Sequence, residues 1–220
     1  MVTTANDLTE FWSSARGAFV HPKDQPLVSC SEFAVRLHPV PWAGPLSASV
    51  FLLFLNPGLD PDDEGYEKDR PDFLKALRDN LSGREPYLYL QDRFYDHPGY
   101  RWARRTFGDD IDQIDLEKIC VLQLVPYHSE KGAAARRIAP KLRSSQIVRD
   151  FVRTTIIPRA KAKEISIIVA RSSKLWEVSD TSLSGNIVIY EGAEPRRAFQ
   201  TPKSRGGALL RQALGKPTGE

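Results

Sequence analysis

Four short runs of almost unbroken apolar residues frame the chain, at 49–55, 119–125, 165–170 and 186–190. A strand wetted on one face alternates apolar and polar positions, whereas a strand covered on both faces is apolar throughout. These runs therefore predict buried strands of a parallel sheet. Helical spacing fills the intervals. Leu8, Phe11, Trp12 and Ala15 share a face near the start, with Asn6 or Asp7 as the candidate cap. Phe73, Leu74, Leu77 and Leu81 share one over 71–81. Ile147, Val148, Phe151, Val152 and Thr155 do so over 145–157, with Ser144 or Ser145 as cap and Pro158 as the stop. A last helix is predicted over 208–214, ended by Gly215. Five prolines between positions 22 and 45 mark irregular chain ahead of the first strand. Strands alternating with helices predict right-handed βαβ units. The expected fold is α/β, a four-stranded parallel sheet between helices in three αβα layers, as a single domain over 1–220.

Composition narrows the function classes. With 41% hydrophobic and 27% charged residues the chain has ordinary globular composition, so wholesale disorder is not expected. The longest apolar run is far too short to span a bilayer. The first residues have neither a basic start nor an apolar stretch, so no signal peptide is expected. Two cysteines, Cys30 and Cys120, exclude a disulfide framework, and Cys120 reads as a small buried hydrophobe. A cytoplasmic monomer is expected.

The net charge of +3 is not that of a histone-like binder, but its distribution is uneven. Acidic residues concentrate in 60–72 and 109–117, whereas Lys and Arg cluster repeatedly from Arg136 onward. A basic second half facing a polyanion is one reading, and solvated loop charges are the other. The sequence has no Cys/His cluster at zinc-ligand spacing, no P-loop and no dinucleotide glycine fingerprint. No cofactor or metal is therefore expected. The acidic loop Asp60, Asp62, Asp63 and Glu64 lacks a calcium-loop pattern and reads as solvated.

Ligands of open α/β sheets bind beyond the carboxyl ends of the strands. The first strand ends in Asn56-Pro57-Gly58, a turn in which proline fixes the backbone and glycine allows conformations closed to other residues. It presents the Asn56 carboxamide, which both donates and accepts; an ordinary turn is the plainer reading. The second strand carries Gln123 and runs into Pro126-Tyr127-His128-Ser129. A buried glutamine is costly unless paired, so Gln123 is either a pocket group or a satisfied core amide. The third strand is followed by Arg171, and the fourth by Gly192 through Phe199.

In these strand ends the chain resembles the uracil-DNA glycosylase superfamily, in the branches whose first motif is G-x-N-P-G. The segment Phe54-Leu55-Asn56-Pro57-Gly58-Leu59 matches that motif except for its leading glycine. Cys120 to Pro126 is similar to the strand that supplies the base-reading amide in the single-strand-selective branch, with Gln123 in place of asparagine. Pro195-Arg196-Arg197 through Gly206-Gly207 is similar to the closing motif and its DNA-penetrating loop.

The resemblance implies strand order 2-1-3-4, DNA as partner and hydrolysis of the N-glycosidic bond of a base flipped from its stack. It implies catalytic roles for Asn56, which orients a water, and for His128. Substrate binding falls to Pro57, Gly58, Gln123 and Tyr127. DNA contact falls to Arg196, Arg197, Phe199, Lys203 and Arg205, with Phe199 as a wedge. The chain also departs from the family. The histidine that opens the closing motif, and that stabilises charge on the departing base, falls near Gly192. Either another donor takes its role, His128 being the first candidate, or a catalytically divergent nucleic-acid- or nucleotide-binding module remains.

Overall fold

The computed structural model describes residues 2–15, 17–108, 114–178, 186–190 and 199–215. Its sheet is mixed and has five strands: β1 (Trp42–Ala43), β2 (Val50–Phe54), β3 (Ile119–Gln123), β4 (Ser166–Val169) and β5 (Ile187–Ile189). They lie in the order β1-β3-β2-β4-β5. The last four are mutually parallel, in registers such as Leu52 opposite both Val121 and Ile168, and their carboxyl ends share one edge.

The expected four-stranded, all-parallel sheet is corrected by β1, which pairs antiparallel with β3 through Trp42–Leu122 and Ala43–Val121. Its two residues sit between Pro41 and Gly44, too short to show a period. Asn80 anchors it instead: its carboxamide donates to Trp42 O (2.6 Å) and accepts from Gly44 N–H (3.1 Å). Gly44 has φ +99°, and a Cβ there would lie 2.1 Å from Ile119 O, so only glycine lets the edge turn so close to β3.

Helices cover both faces of the sheet. They are α1 (Ala5–Ser13), α2 (Asp63–Asp69), α3 (Pro71–Asn80), α4 (Pro98–Phe107), α5 (Gly132–Ile138), α6 (Arg143–Phe151), α7 (Ile157–Lys161), α8 (Ser173–Trp176) and α9 (Arg205–Ala213). Alternate strand residues divide between two cores. Phe51, Leu53, Cys120, Leu122, Ile167 and Val169 pack with α1 and α5 to α8. Val50, Leu52, Phe54, Ile119, Val121 and Ile168 pack with α3, α4 and α9. Among the described residues no helix is long and apolar enough to cross a membrane.

Four helix boundaries differ from expectation. Neither Ser144 nor Ser145 caps α6, which opens at Arg143 after Leu142 and holds both serines inside its first turn. The last helix opens at Arg205 rather than 208, capped by Ser204 through Gly207 N–H. Thr4, not Asn6 or Asp7, caps α1, and Asp7 returns the bond to Thr4 N–H as the third helical residue of a capping box. Pro158 does not stop the second-half helix. A π-helical turn over Val152–Ile156, with Ile157 N–H bonded to Val152 O, widens the backbone ahead of Pro158, and α7 continues to Lys161.

Candidate functional site at the strand ends

A cavity of about 380 Å³ opens where β2 and β3 end. Five expected residues line it: Asn56, Pro57, Gly58, Gln123 and His128. Asn56 Nδ2 donates to Pro57 O (2.7 Å) and to Ser129 Oγ (2.9 Å). Both hydrogens of the amide are therefore engaged, and Oδ1 is left as the group able to accept a hydrogen bond from a ligand or water. Pro57 is buried beneath this turn, and its carbonyl also accepts from Ser129 N–H.

Gly58 corrects the conformational argument made from sequence. Its φ is not positive, and a Cβ built on it would meet nothing within 4 Å. No fold constraint demands glycine there; the open space beside it belongs to the cavity that Gly58 lines.

His128 lies over this turn. Its Nδ1 is 2.7 Å from Gly58 O, and since a carbonyl only accepts, Nδ1 carries the proton. Nε2, the ring's other nitrogen, is buried and has no partner; in the neutral tautomer it is the acceptor. Gln123 Oε1 is also buried without a partner, so the amide is not a satisfied core group. Unpaired buried polar atoms are costly and uncommon. Two of them on one cavity wall mark it as built for a polar ligand.

Tyr127 does not join them. It is 3% exposed, and its hydroxyl donates to Asp24 Oδ2 (2.8 Å) and accepts from His21 N–H (3.2 Å). Asp24 in turn accepts from Arg143 N–H and Ser144 N–H, capping α6 from outside the helix. Tyr127 is thus a structural strut, which corrects its expected substrate role. Tyr127→Phe should lower unfolding free energy by about 1–3 kcal/mol, by leaving buried Asp24 short of a donor, and should leave ligand affinity unchanged. Denaturant titration together with ligand binding checks both.

Sequence reasoning missed the opposite wall. Asp63, assigned to a solvated loop, is buried and accepts from Asp60 N–H (2.8 Å). Burial raises its pKa. His97 caps α4 by accepting Gly99 N–H at Nδ1 (2.8 Å), so its Nε2 carries hydrogen and lies 3.9 Å from Asp63 Oδ1. Burial, and secondly the nearby His128, push the His97 pKa down to about 4. The ring also stacks on Phe73 at 4.4 Å. The signal available in sequence was a His-Pro pair opening a helix, and it carried no chemistry.

The unfolded chain binds a proton at His97 between its ordinary value of 6.5 and about 4, and the folded protein does not. Stability contributed by this residue therefore falls as pH drops through that window, by on the order of 3 kcal/mol at its end. Asp63, shifted upward, works in the opposite direction. His97→Asn keeps an acceptor for Gly99 N–H, so its unfolding free energy should fall less than that of wild type between neutral pH and pH 4. Parallel slopes for the two proteins would refute this.

Tyr89 and Trp102 supply aromatic surface to the cavity, and Trp102 meets Phe54 edge-on at 5.4 Å. The exposed residues Arg105, Arg136 and Arg171 stand at its mouth and form no ion pair with a described residue. Of the expected DNA contacts, Arg196 and Arg197 lie outside the described residues, as does Gly192. Phe199 is 47% exposed, Lys203 is exposed, and neither lines the cavity. Arg205 donates to Ile189 O (3.0 Å) and lies over the Tyr190 ring, at the same sheet edge but two strands from β2.

No protein-family model, curated protein or solved structure matches the chain. The site is therefore read from its own geometry. A larger groove of about 820 Å³ runs alongside, between residues 30–36 and 130–134, sharing Leu59 and Glu130 with the cavity. None of the unpartnered buried atoms lies in it, so the strand-end cavity is the stronger candidate. Among the described residues no group of three His, Cys, Asp or Glu side chains is placed to hold a metal ion.

Proposed function

We propose that the protein is a DNA-base glycosylase-like hydrolase of N-glycosidic bonds, working on a base flipped into the strand-end cavity. One observation carries the reading: Asn56, Gln123 and His128 line one cavity, and Asn56 Oδ1, Gln123 Oε1 and His128 Nε2 have no hydrogen-bond partner among the described residues. Asn56 Oδ1 accepts a hydrogen from water and aims the oxygen at the sugar carbon. Gln123 reads a base edge through its carboxamide. His128 Nε2 takes the proton that the water loses. Arg105, Arg136 and Arg171 hold flanking phosphates, Arg205 with Lys203 extends that surface, and the exposed Phe199 is the wedge that fills the vacated stack. Water adds across the bond, leaving a hydroxyl on the sugar and a free base. The side-by-side order β3-β2-β4-β5 supports the resemblance to the uracil-DNA glycosylase superfamily, as does a three-layer αβα arrangement.

The test is incubation with oligonucleotides carrying uracil, hypoxanthine, alkylated purines or mismatches, single- and double-stranded, followed by chromatography of the released base. Release of at least one base is expected. Absence of release from all of them, at any protein excess, ends the reading.

A second reading, binding without turnover, is favoured by one feature. The arginines stand exposed at the mouth, and no cationic side chain lies deep in the described cavity to stabilise an anionic leaving base. DNA binding that weakens with salt and with Arg136→Ala, yet survives Asn56→Ala without any base release, is its signature.

A further inference from the structure

The charge pattern of the cavity sets a requirement on its ligand. Its inner wall carries a buried carboxylate, Asp63, with Asp60 beside it, whereas its arginines are confined to the exposed mouth. His128 Nε2, the ring nitrogen not engaged by Gly58 O, is also buried without a partner in this lining. The inner histidine opposite, His97, is engaged through Nδ1 with Gly99 N–H and leans toward Asp63 with Nε2. Tyr89 and Trp102 also line the cavity, and aromatic rings attract cations. A base that departs as an anion would develop its charge beside the Asp63 side chain, which opposes departure. A base that is already cationic is attracted on entry and leaves neutral.

The geometry points to a cationic base as the ligand of this cavity: a purine N-alkylated on its ring, attached to a sugar-phosphate held by the arginines at the mouth. This rests on the glycosylase reading for its chemistry, but not for its binding preference. In the reaction the bond from the sugar C1′ to the purine ring nitrogen breaks, and its electron pair neutralises the ring cation. Water, oriented by Asn56 Oδ1, bonds to C1′ and gives its proton to His128 Nε2. No anion forms on the base, so the histidine that the superfamily's closing motif would supply is not needed.

Two measurements on the full chain separate this inference from the reading it rests on. In the first, release of 7-methylguanine is compared with release of uracil and hypoxanthine from matched oligonucleotides. In the second, quenching of tryptophan fluorescence compares binding of 7-methylguanosine with guanosine at mildly acidic pH. Release of 7-methylguanine at least about tenfold faster than of the others is expected, with a similar binding preference for the cation. Asp63→Asn, which keeps an acceptor for Asp60 N–H, should bring both ratios toward one. Fastest release of uracil or hypoxanthine overturns the inference and leaves the glycosylase reading standing. Preference for the cationic nucleoside without any base release sinks the glycosylase reading and leaves the cation site standing. Equal binding of the two nucleosides by wild type overturns the inference even where Asp63→Asn fails to fold.

Discussion

Asn56→Ala should slow base release by roughly 10²–10³-fold, with ligand affinity nearly intact. The carboxamide is held at two points, Pro57 O and Ser129 Oγ, and that fixes which face of the amide is presented. In the proposed mechanism a water bonded to Oδ1 is oriented before the glycosidic bond lengthens, so the gain appears in the chemical step rather than in binding. Truncation removes the acceptor and leaves Ser129 Oγ with its bond to Lys131 O. The stability cost should stay near ~1 kcal/mol, because the site is only partly buried. Ser129→Ala acts through Asn56 and should produce a smaller slowing, about tenfold, again in the turnover rate and not in KM. Single-turnover base release with thermal unfolding checks each part. A rate for Asn56→Ala within about threefold of wild type would remove this residue from the mechanism.

The fold was legible in the sequence wherever burial on two faces left its mark. Val50 to Phe54 is apolar at every position because every position faces one of two cores. The edge strand at Trp42 was not legible, since its position depends on an asparagine 38 residues away in α3. The candidate site divides in the same way. Asn56, Gln123 and His128 follow or end strands, and the rule that ligands gather beyond carboxyl ends finds them. Asp63 and His97 reach the cavity only because the amino ends of two separate helices, α2 and α4, meet beside it, and no local pattern records that. Tyr127 misled for a geometric reason. Alternation breaks at Leu124 and Val125, which both enter the α1 and α6 core, so the chain beyond Pro126 carries Tyr127 to that side while His128 reaches the cavity.

The cavity's two walls differ in how they are held, and the difference bears on function. Asn56 and His128 stand on turns locked to each other through Ser129 and Gly58, at the ends of the central strand β2 and its neighbour β3. The wall of Trp102 and Arg105 belongs to α4, whose last turn needs an external partner for its carbonyls.

Arg211 supplies that partner, and Arg211→Leu should carry the largest stability cost of any single change considered, about 3–5 kcal/mol. The side chain of α9 is 1% exposed. Its guanidinium donates to Phe107 O at the end of α4 (2.9 Å), to Gln200 O (2.9 Å) and to Gly207 O in α9 (3.0 Å). Three carbonyls from three segments thus converge on one planar fork, and the positive charge sits favourably at the carboxyl end of α4. Leucine matches much of the volume but leaves Phe107 O and Gln200 O buried without this donor. Arg211→Lys keeps the charge and loses the fork, so its cost should be intermediate. Because Gln200 directly follows Phe199, the same change should also loosen the segment that carries the proposed wedge. Hydrogen exchange should then quicken in the last turn of α4 and around Gln200 more than in β2 and β3. Denaturant unfolding of the three proteins gives the order wild type, Arg211→Lys, Arg211→Leu. A loss below about 1 kcal/mol for the leucine variant would show that α4 and α9 are held by apolar packing alone.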